Sequence, residues 1–324
     1  MKEIIPSSGL SEKIEQAWSR IGPDIVRTPL ERSSFLSRLT GAEVFLKWES
    51  EQKTGSFKFR GALNKVRSLS GGEKKRGLVS ASTGNHGLGL SLAASMEGVR
   101  LSLVLPETVS AEKIRRLKEH PVEIIRFGGS CEKAEMQARR LAEETGRFYI
   151  SPYNDIDIIA GQGTIGREVI EDLGRVEAVI VPIGGGGLIA GIAGWIKAVN
   201  SGVRVIGVEP AHSAFMAASF AAGRIVEIEE KETIAEAVAG GIEPGSVTFP
   251  LCRNLVDDIV LVEETRVKVA MSTLWVEHRR KVEGAGALSL AALLSRKTSL
   301  QGKNVVLIIS GGNIAPSTFK EAIF

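Results

Sequence analysis

Apolar runs of strand length alternate with helix-patterned stretches along most of this chain, and that alternation restricts its fold more than any other feature. The runs 43–48, 77–80, 100–105, 123–127, 178–183, 203–208 and 305–309 predict strands, and the stretches 56–69, 87–98, 111–119 and 130–144 predict helices. Such an order is the mark of an α/β protein. Three of the strands run directly into a turn rich in glycine or serine: Ser80-Ala81-Ser82-Thr83-Gly84, Gly184–Gly187 and Ser310-Gly311-Gly312. Ligands of open α/β sheets collect beyond the carboxyl ends of the strands, so three such turns predict one shared site.

A length of 324 residues suits about two domains and a large buried core. With 43% hydrophobic and 24% charged residues the composition is that of a soluble globular protein. The net charge is only +3, and short basic runs such as 74–76 and 278–281 read as solvated helix faces, which argues against a nucleic-acid partner. Cys131 and Cys252 are too few for a disulfide framework or a structural zinc site. The uncharged segment from Ala178 to Ile196 approaches membrane-spanning length, but Pro182 and the glycine run make it read as strand, loop and buried helix. The first residues contain no signal-peptide pattern. A reduced cytoplasmic enzyme without membrane contact is expected. Only residues 311–324 follow Ser310, so no appended effector domain is expected either.

The chemistry begins with Thr54-Gly55-Ser56-Phe57-Lys58-Phe59-Arg60-Gly61-Ala62, where Ser56 suits a helix N-cap. Lys58 shares a helix face with Ala62, Val66 and Leu69. Such a lysine is either a snorkelling side chain with a buried stem or the amine that attacks an aldehyde cofactor. Desolvation and the positive helix terminus both favour the neutral amine that the second role needs. Ser82–Gly87 lies between a strand and a helix, where free amides bind an anion such as a substrate carboxylate, and Asn85 is placed to face a cofactor's ring oxygen. An ordinary polar turn with Asn85 and His86 satisfied locally is the alternative. Gly184–Gly187 leaves its amides free to turn towards a phosphate. Gly185 to Ala190 also fits G-x-G-x-x-A, with Glu209 where a ribose-binding acid would lie. A dinucleotide, a single phosphate and tight packing all remain open there.

Taken in order, TGSFKFRGA, SASTGNHG, AGQGT at 160–164, GGGG at 184–187, GVEP at 207–210 and SGGN at 310–313 resemble the threonine/serine dehydratase group of fold-type II pyridoxal-phosphate enzymes, which includes serine racemase. The resemblance covers residues 15–320. It implies a tryptophan synthase β-like α/β fold of two open twisted domains, residues 1–48 plus 154–324 and residues 49–153, with pyridoxal 5′-phosphate in the cleft. It implies elimination of water and ammonia from a small β-hydroxy amino acid by a homo-oligomer, a dimer or tetramer. Lys58 would anchor the cofactor aldehyde and take the Cα proton, Phe57 would pack on the ring, and Asn85 would bond its 3′-oxygen. The amides of Gly184, Gly185, Gly186, Gly187 and Leu188 would hold the phosphate. Ser310 would face the pyridine nitrogen, which a serine cannot hold fully protonated as a carboxylate would. That moderates the electron sink and suits elimination better than transamination. Ser82, Thr83, Asn85 and His86 would line the substrate carboxylate site.

The chain departs from the pattern at three places. Ala235-Glu236-Ala237 stands where Ala-Asp-Gly is usual. Glu209 matches the first ligand of a divalent cation in the racemases, but Phe215 replaces the second, so no metal is expected. Thr83 precedes Gly84 where dehydratases carry alanine and racemases serine, and by resemblance it offers a hydroxyl on the face opposite Lys58. The rival readings are a serine racemase-like isomerase and a β-replacement synthase, the latter disfavoured by Phe59. An NAD-dependent dehydrogenase would leave Lys58 and Ser310 unexplained.

Overall fold

Val305, Leu307 and Ile309 pack on one side of a sheet, and Val306 and Ile308 on the other. This double burial is why the run is apolar at every position instead of alternating. The computed structural model describes residues 7–295 and 300–323. Its strands are β1 (Leu30–Arg32), β2 (Glu43–Lys47), β3 (Leu78–Ser80), β4 (Leu101–Leu105), β5 (Glu123–Arg126), β6 (Phe148–Tyr149), β7 (Ala178–Pro182), β8 (Arg204–Pro210), β9 (Asp258–Val262) and β10 (Asn304–Ile308). One sheet has the order β1-β2-β10-β7-β8-β9, the other β5-β4-β3-β6. Apart from β1, which runs antiparallel to β2, every pairing is parallel.

Parallel pairing needs a crossover between successive strands, and the helices between them supply it. They cover both faces of the larger sheet, where β7 alternates Ala178 and Ile180 into one core with Val179 and Val181 into the other. Each such valine or isoleucine contributes about 1.5–3 kcal/mol by leaving water. All seven predicted strands are present, shifted at their ends by a residue or two, whereas β1, β6 and β9 were not predicted. The segment 178–196 is a strand, a turn and a buried helix, Gly187–Val199. Among the described residues no helix is long and apolar enough to cross a membrane.

The helix Lys58–Ser68 begins one residue later than a Ser56 cap would set. Phe57 is its N-cap residue, and the Ser56 hydroxyl is buried without a hydrogen-bond partner. The reason is a competing pairing: Ser56 forms a β-bridge with Gly311, and the Phe57 N–H donates to Ser310 O at 3.1 Å. Gly312 N likewise donates to Gly55 O at 2.9 Å. The lysine motif and the serine motif are therefore zipped together through their backbones. On its other side this helix crosses the helix Ile156–Leu173 so closely that a Cβ on Gly161 would lie 2.6 Å from Gly61 Cα. The Gln162 side chain accepts a hydrogen bond from Gly61 N at 3.2 Å, which accounts for the run AGQGT.

The basic run at 278–281 is solvated at Arg279 and Lys281, but His278 and Arg280 turn back onto the fold. His278 is bonded to Glu31 at 3.0 Å, and the Arg280 guanidinium stacks 4.3 Å from the Trp48 ring centroid. Trp48 is fully buried and gives the Arg280 guanidinium an apolar surface to lie on.

Candidate active site

Because β3, β7 and β10 are all parallel members of their sheets, the turns that follow them open at carboxyl ends, and here those turns meet. Lys58, Ser82, Thr83, Asn85 and His86 line one cavity of about 430 Å³. A hollow of about 40 Å³ adjoins it, sharing Lys58, Asn85, Tyr153 and Glu283, and is lined by Phe57, Gly184, Gly185, Gly186, Gly187, Leu188 and Ser310. Every site residue expected from the sequence lines one of the two. Larger hollows elsewhere, of about 980 and 1500 Å³, lack such a convergence of reactive groups.

The Lys58 Nζ donates to Pro152 O at 2.8 Å and lies 5.2 Å from the Phe57 ring centroid. Burial lowers its pKa to about 8, against the opposing pull of the Glu283 carboxylate. A substantial fraction of the amine is therefore neutral near physiological pH, as attack on a carbonyl requires.

Around it, the glycine turn is shaped as a cradle. Gly186 has φ +86°, a left-handed conformation that caps the helix Gly187–Val199 without any side-chain bond to its first amides. A Cβ on Gly184 would lie 3.0 Å from Val238 Cα, one on Gly187 would lie 3.0 Å from Tyr153 Cβ, and one on Gly185 would run into the Tyr153 ring. Side chains would fill this space, and glycines leave its amides open at the positive end of a helix, the arrangement an anion such as a phosphate needs. An aldehyde-bearing phosphate ester thus fits the residues present, with Lys58 at one end and the cradle at the other.

Across the cleft, Gly84 precedes the helix Asn85–Met96, again without a side-chain cap. Ser82 Oγ accepts from Gly84 N at 3.3 Å and so shapes the turn. His86 is turned back into the fold, with Nε2 3.2 Å from Ser80 Oγ, and burial followed by the Lys58 charge lowers its pKa to about 3. It stands at the cavity wall as a neutral ring. Three groups that sequence reasoning did not single out also belong here: Tyr153, Glu283 and Asn313. Tyr153 OH accepts from Glu243 N at 2.8 Å while its ring backs the glycine turn.

Glu209 and the departures find different explanations. The Glu209 carboxylate accepts from Met216 N and Ala217 N, both at 2.8 Å, at the start of the helix Phe215–Ala222. It is spent on that helix, which removes the ribose-binding acid that a dinucleotide reading of Gly185–Ala190 needed. Among the described residues no group of three or more His, Cys, Asp or Glu gathers as a metal set would. Glu236 opens the short turn Glu236–Val238 that roofs the glycine cradle.

Comparison with known proteins decides the family. The sequence pattern described as "Pyridoxal-phosphate dependent enzyme" matches residues 21–311. The chain belongs to this family. Pyridoxal 5′-phosphate is accordingly its cofactor. It is 44% identical to the L-threonine ammonia-lyase of Thermotoga maritima over 94% of this chain and 75% of that one. It is 43% identical to the catabolic L-threonine dehydratase of Escherichia coli K12 over 94% of this chain and 92% of that one. Among solved structures, maize serine racemase superposes with a TM-score of 0.91 at 35% identity, each chain covered to 96%.

Proposed function

We propose that this pyridoxal-phosphate dependent lyase removes water from a β-hydroxy amino acid, L-threonine or L-serine, and releases a 2-oxo acid and ammonia. The observation that carries the reading is the convergence on one cleft of the Lys58 amine, the glycine cradle at Gly184–Gly187, Asn85 and Ser310. Relatives at 44% and 43% identity that are named as threonine lyases support it.

When bound, the cofactor supplies a carbonyl for the substrate amine and an electron sink for the charge left at Cα. The residues do the rest. Lys58 is the base that takes the Cα proton, and its lowered pKa suits it to move that proton near neutral pH. The amides at the start of the helix Asn85–Met96, with Ser82 and Thr83, hold the substrate carboxylate and so fix which Cα bond faces Lys58. Phe57 would pack on the ring, the amides of Gly184 to Leu188 would hold the phosphate, and Asn85 would donate to the ring oxygen. Ser310 would meet the ring nitrogen with a hydroxyl, which would leave the sink moderate. The same reading divides the chain into residues 1–48 plus 154–324 and residues 49–153. The two sheets support that division, since β3 to β6 fall inside the second unit and the other six strands outside it. It also takes the enzyme to be a cytoplasmic homo-oligomer, with the exposed Leu39 and Val269 as interface material and sedimentation as the check.

Release of 2-oxo acid from L-threonine, L-serine, 3-hydroxyaspartate and bulkier 3-hydroxy amino acids tests the reaction, with D-isomer measured alongside. Pyruvate or 2-oxobutyrate formed faster than any D-isomer is the expected result. D-serine formed faster than pyruvate would overturn the lyase reading in favour of the isomerase that the maize structure represents.

A further inference from the structure

Glu283 is a buried acid to which the reaction above gives no role. It stands at the N-cap of the helix Gly284–Leu294, yet its side chain does not cap that helix. Its carboxylate turns into the cleft, where Oε1 accepts a hydrogen bond from Asn85 Nδ2 at 2.7 Å. Asn85 is held from the other side too, because its Oδ1 accepts from Asn313 Nδ2 at 2.7 Å. Asn313 is itself pinned: its amide also donates to Thr54 O at 2.8 Å, and its Oδ1 accepts from Arg116 Nη2 at 2.6 Å. Turning the Asn85 amide over would set its oxygen against a carboxylate and its NH2 against another NH2. One orientation is therefore enforced. An amide nitrogen carries two hydrogens. Glu283 takes one, which leaves the second for a ligand in the hollow that Asn85 lines with Lys58 and Ser310.

We propose that Glu283 is a positioning residue for the elimination, locking the Asn85 amide together with Asn313 so that one N–H is presented to the cofactor's ring oxygen. This rests on the functional reading in which Asn85 meets that oxygen. Where it is ionised, a carboxylate suits the task better than an amide would, because it only accepts and offers Asn85 no wrong way to bind. The burial of Glu283 also has a cost, raising its pKa to about 7. A buried acid kept at that cost, and not used on its own helix, marks a functional position.

The test uses wild type, Glu283→Gln, Glu283→Leu and Asn313→Ala, each stripped of pyridoxal 5′-phosphate and titrated with it by absorbance, then assayed for kcat and KM with L-threonine across pH. In Glu283→Leu the cofactor Kd rises about tenfold, the size of one hydrogen bond to a charged group, and kcat falls with little change in KM. Glu283→Gln still offers an oxygen and recovers Kd to within about threefold of wild type, while losing the inflection near pH 7 from its kcat profile. The charged groups facing Glu283 are Lys58, Arg116 and Glu236, so that inflection must survive in Asn313→Ala to be assigned to the acid. A wild-type Kd and kcat in Glu283→Leu overturns the proposal. Should that variant fail to fold, Asn313→Ala carries the test, since it frees the other end of the same amide, and an unchanged Kd there overturns it equally. Cofactor affinity is measured without substrate. Failure of every β-hydroxy amino acid to react would thus count against the functional reading alone.

Discussion

Lys58 and Arg60 are two cations on the first turn of one helix, and their surroundings push them to opposite chemical ends. The Arg60 guanidinium is fully buried. It bonds Glu49 through Nε and Nη2, both at 2.8 Å, and Glu168 at 2.6 and 3.0 Å, with Thr164 Oγ1 at 3.2 Å. Lys47 joins the same cluster through Glu168 at 2.6 Å. Burial alone would lower the arginine's pKa, but Glu49 and Glu168 more than reverse that and hold it above the ordinary value. Among the described residues Lys58 has one carbonyl and one ring face, and no carboxylate hydrogen-bonded to it. Burial wins there. The contrast teaches that a buried cation becomes a strut where it is fully paired and a reactive base where pairing is withheld.

The largest effect should follow loss of the unpaired one. Lys58→Ala is expected to lower 2-oxo acid release by more than about 10⁴-fold, since base and anchor vanish together. Its thermal midpoint without cofactor should fall far less than that of a variant lacking Arg60, because only the Pro152 carbonyl loses a hydrogen-bond donor. Borohydride reduction of the native enzyme, followed by peptide mapping, checks the assignment, and a label on any other lysine breaks it.

Arg60→Met inverts the result. It leaves Glu49 without a cation and Glu168 with Lys47 alone in a dry interior, and should cost about 3–5 kcal/mol of unfolding free energy. Urea denaturation measures this, and a variant as stable as wild type would erase the distinction between strut and base.

A milder test titrates the lysine. In cofactor-free protein, acylation of Lys58 should rise with pH through about 8. At pH 8 the neutral fraction then exceeds that of a surface lysine by roughly two orders of magnitude. The sign is fixed by burial, which favours the uncharged amine, and mass spectrometry of the modified peptides reads it out. A midpoint near that of the other lysines would mean that the pocket is wet.

The smallest effect lies on the opposite face of the cleft. Thr83→Ala should keep elimination within a few-fold and abolish any D-product, whereas Thr83→Ser should raise D-product a few-fold, because threonine's branched Cβ restricts χ1 and serine's does not. D-product unchanged in Thr83→Ala would remove Thr83 from proton transfer altogether.

Much of this was legible in the sequence, and the exceptions share a cause. The central strands could be read because each is buried on both faces and so almost wholly apolar. β6 is two residues long and carries no pattern, and β1 is Leu-Glu-Arg at a sheet edge. β9 is apolar enough to have been noticed, since only Asp258 interrupts Asp258–Val262. The residues that line the cleft were legible because glycine turns and a helix-start lysine are local signals. Glu283 and Asn313 act through partners far away in sequence, and nothing adjacent to Glu283 in the run 278–283 distinguishes an acid that turns inward. Glu49, Glu168 and Lys47 were missed for the same reason: an isolated charge reads as surface until the fold brings its counter-ions together. Ser56 failed as a cap because its backbone was claimed by Gly311.

The sheet order carries a consequence for how the protein comes off the ribosome. β10 is the latest strand to be made, yet it lies between β2 and β7, with Glu43 opposite Asn304. At about 5–20 residues per second, β2 waits roughly 10 to 50 s for its neighbour. Throughout that interval the edge of β2 lies open to pairing with other chains, joined by that of β7 once Ala178–Pro182 has been made. The four-stranded sheet needs nothing later than Tyr149 and can close early. Lys58 is then already on its helix while the strand that delivers Ser310 and zips to Phe57 has yet to emerge, so the nascent chain carries its reactive amine before it owns a pocket to govern it.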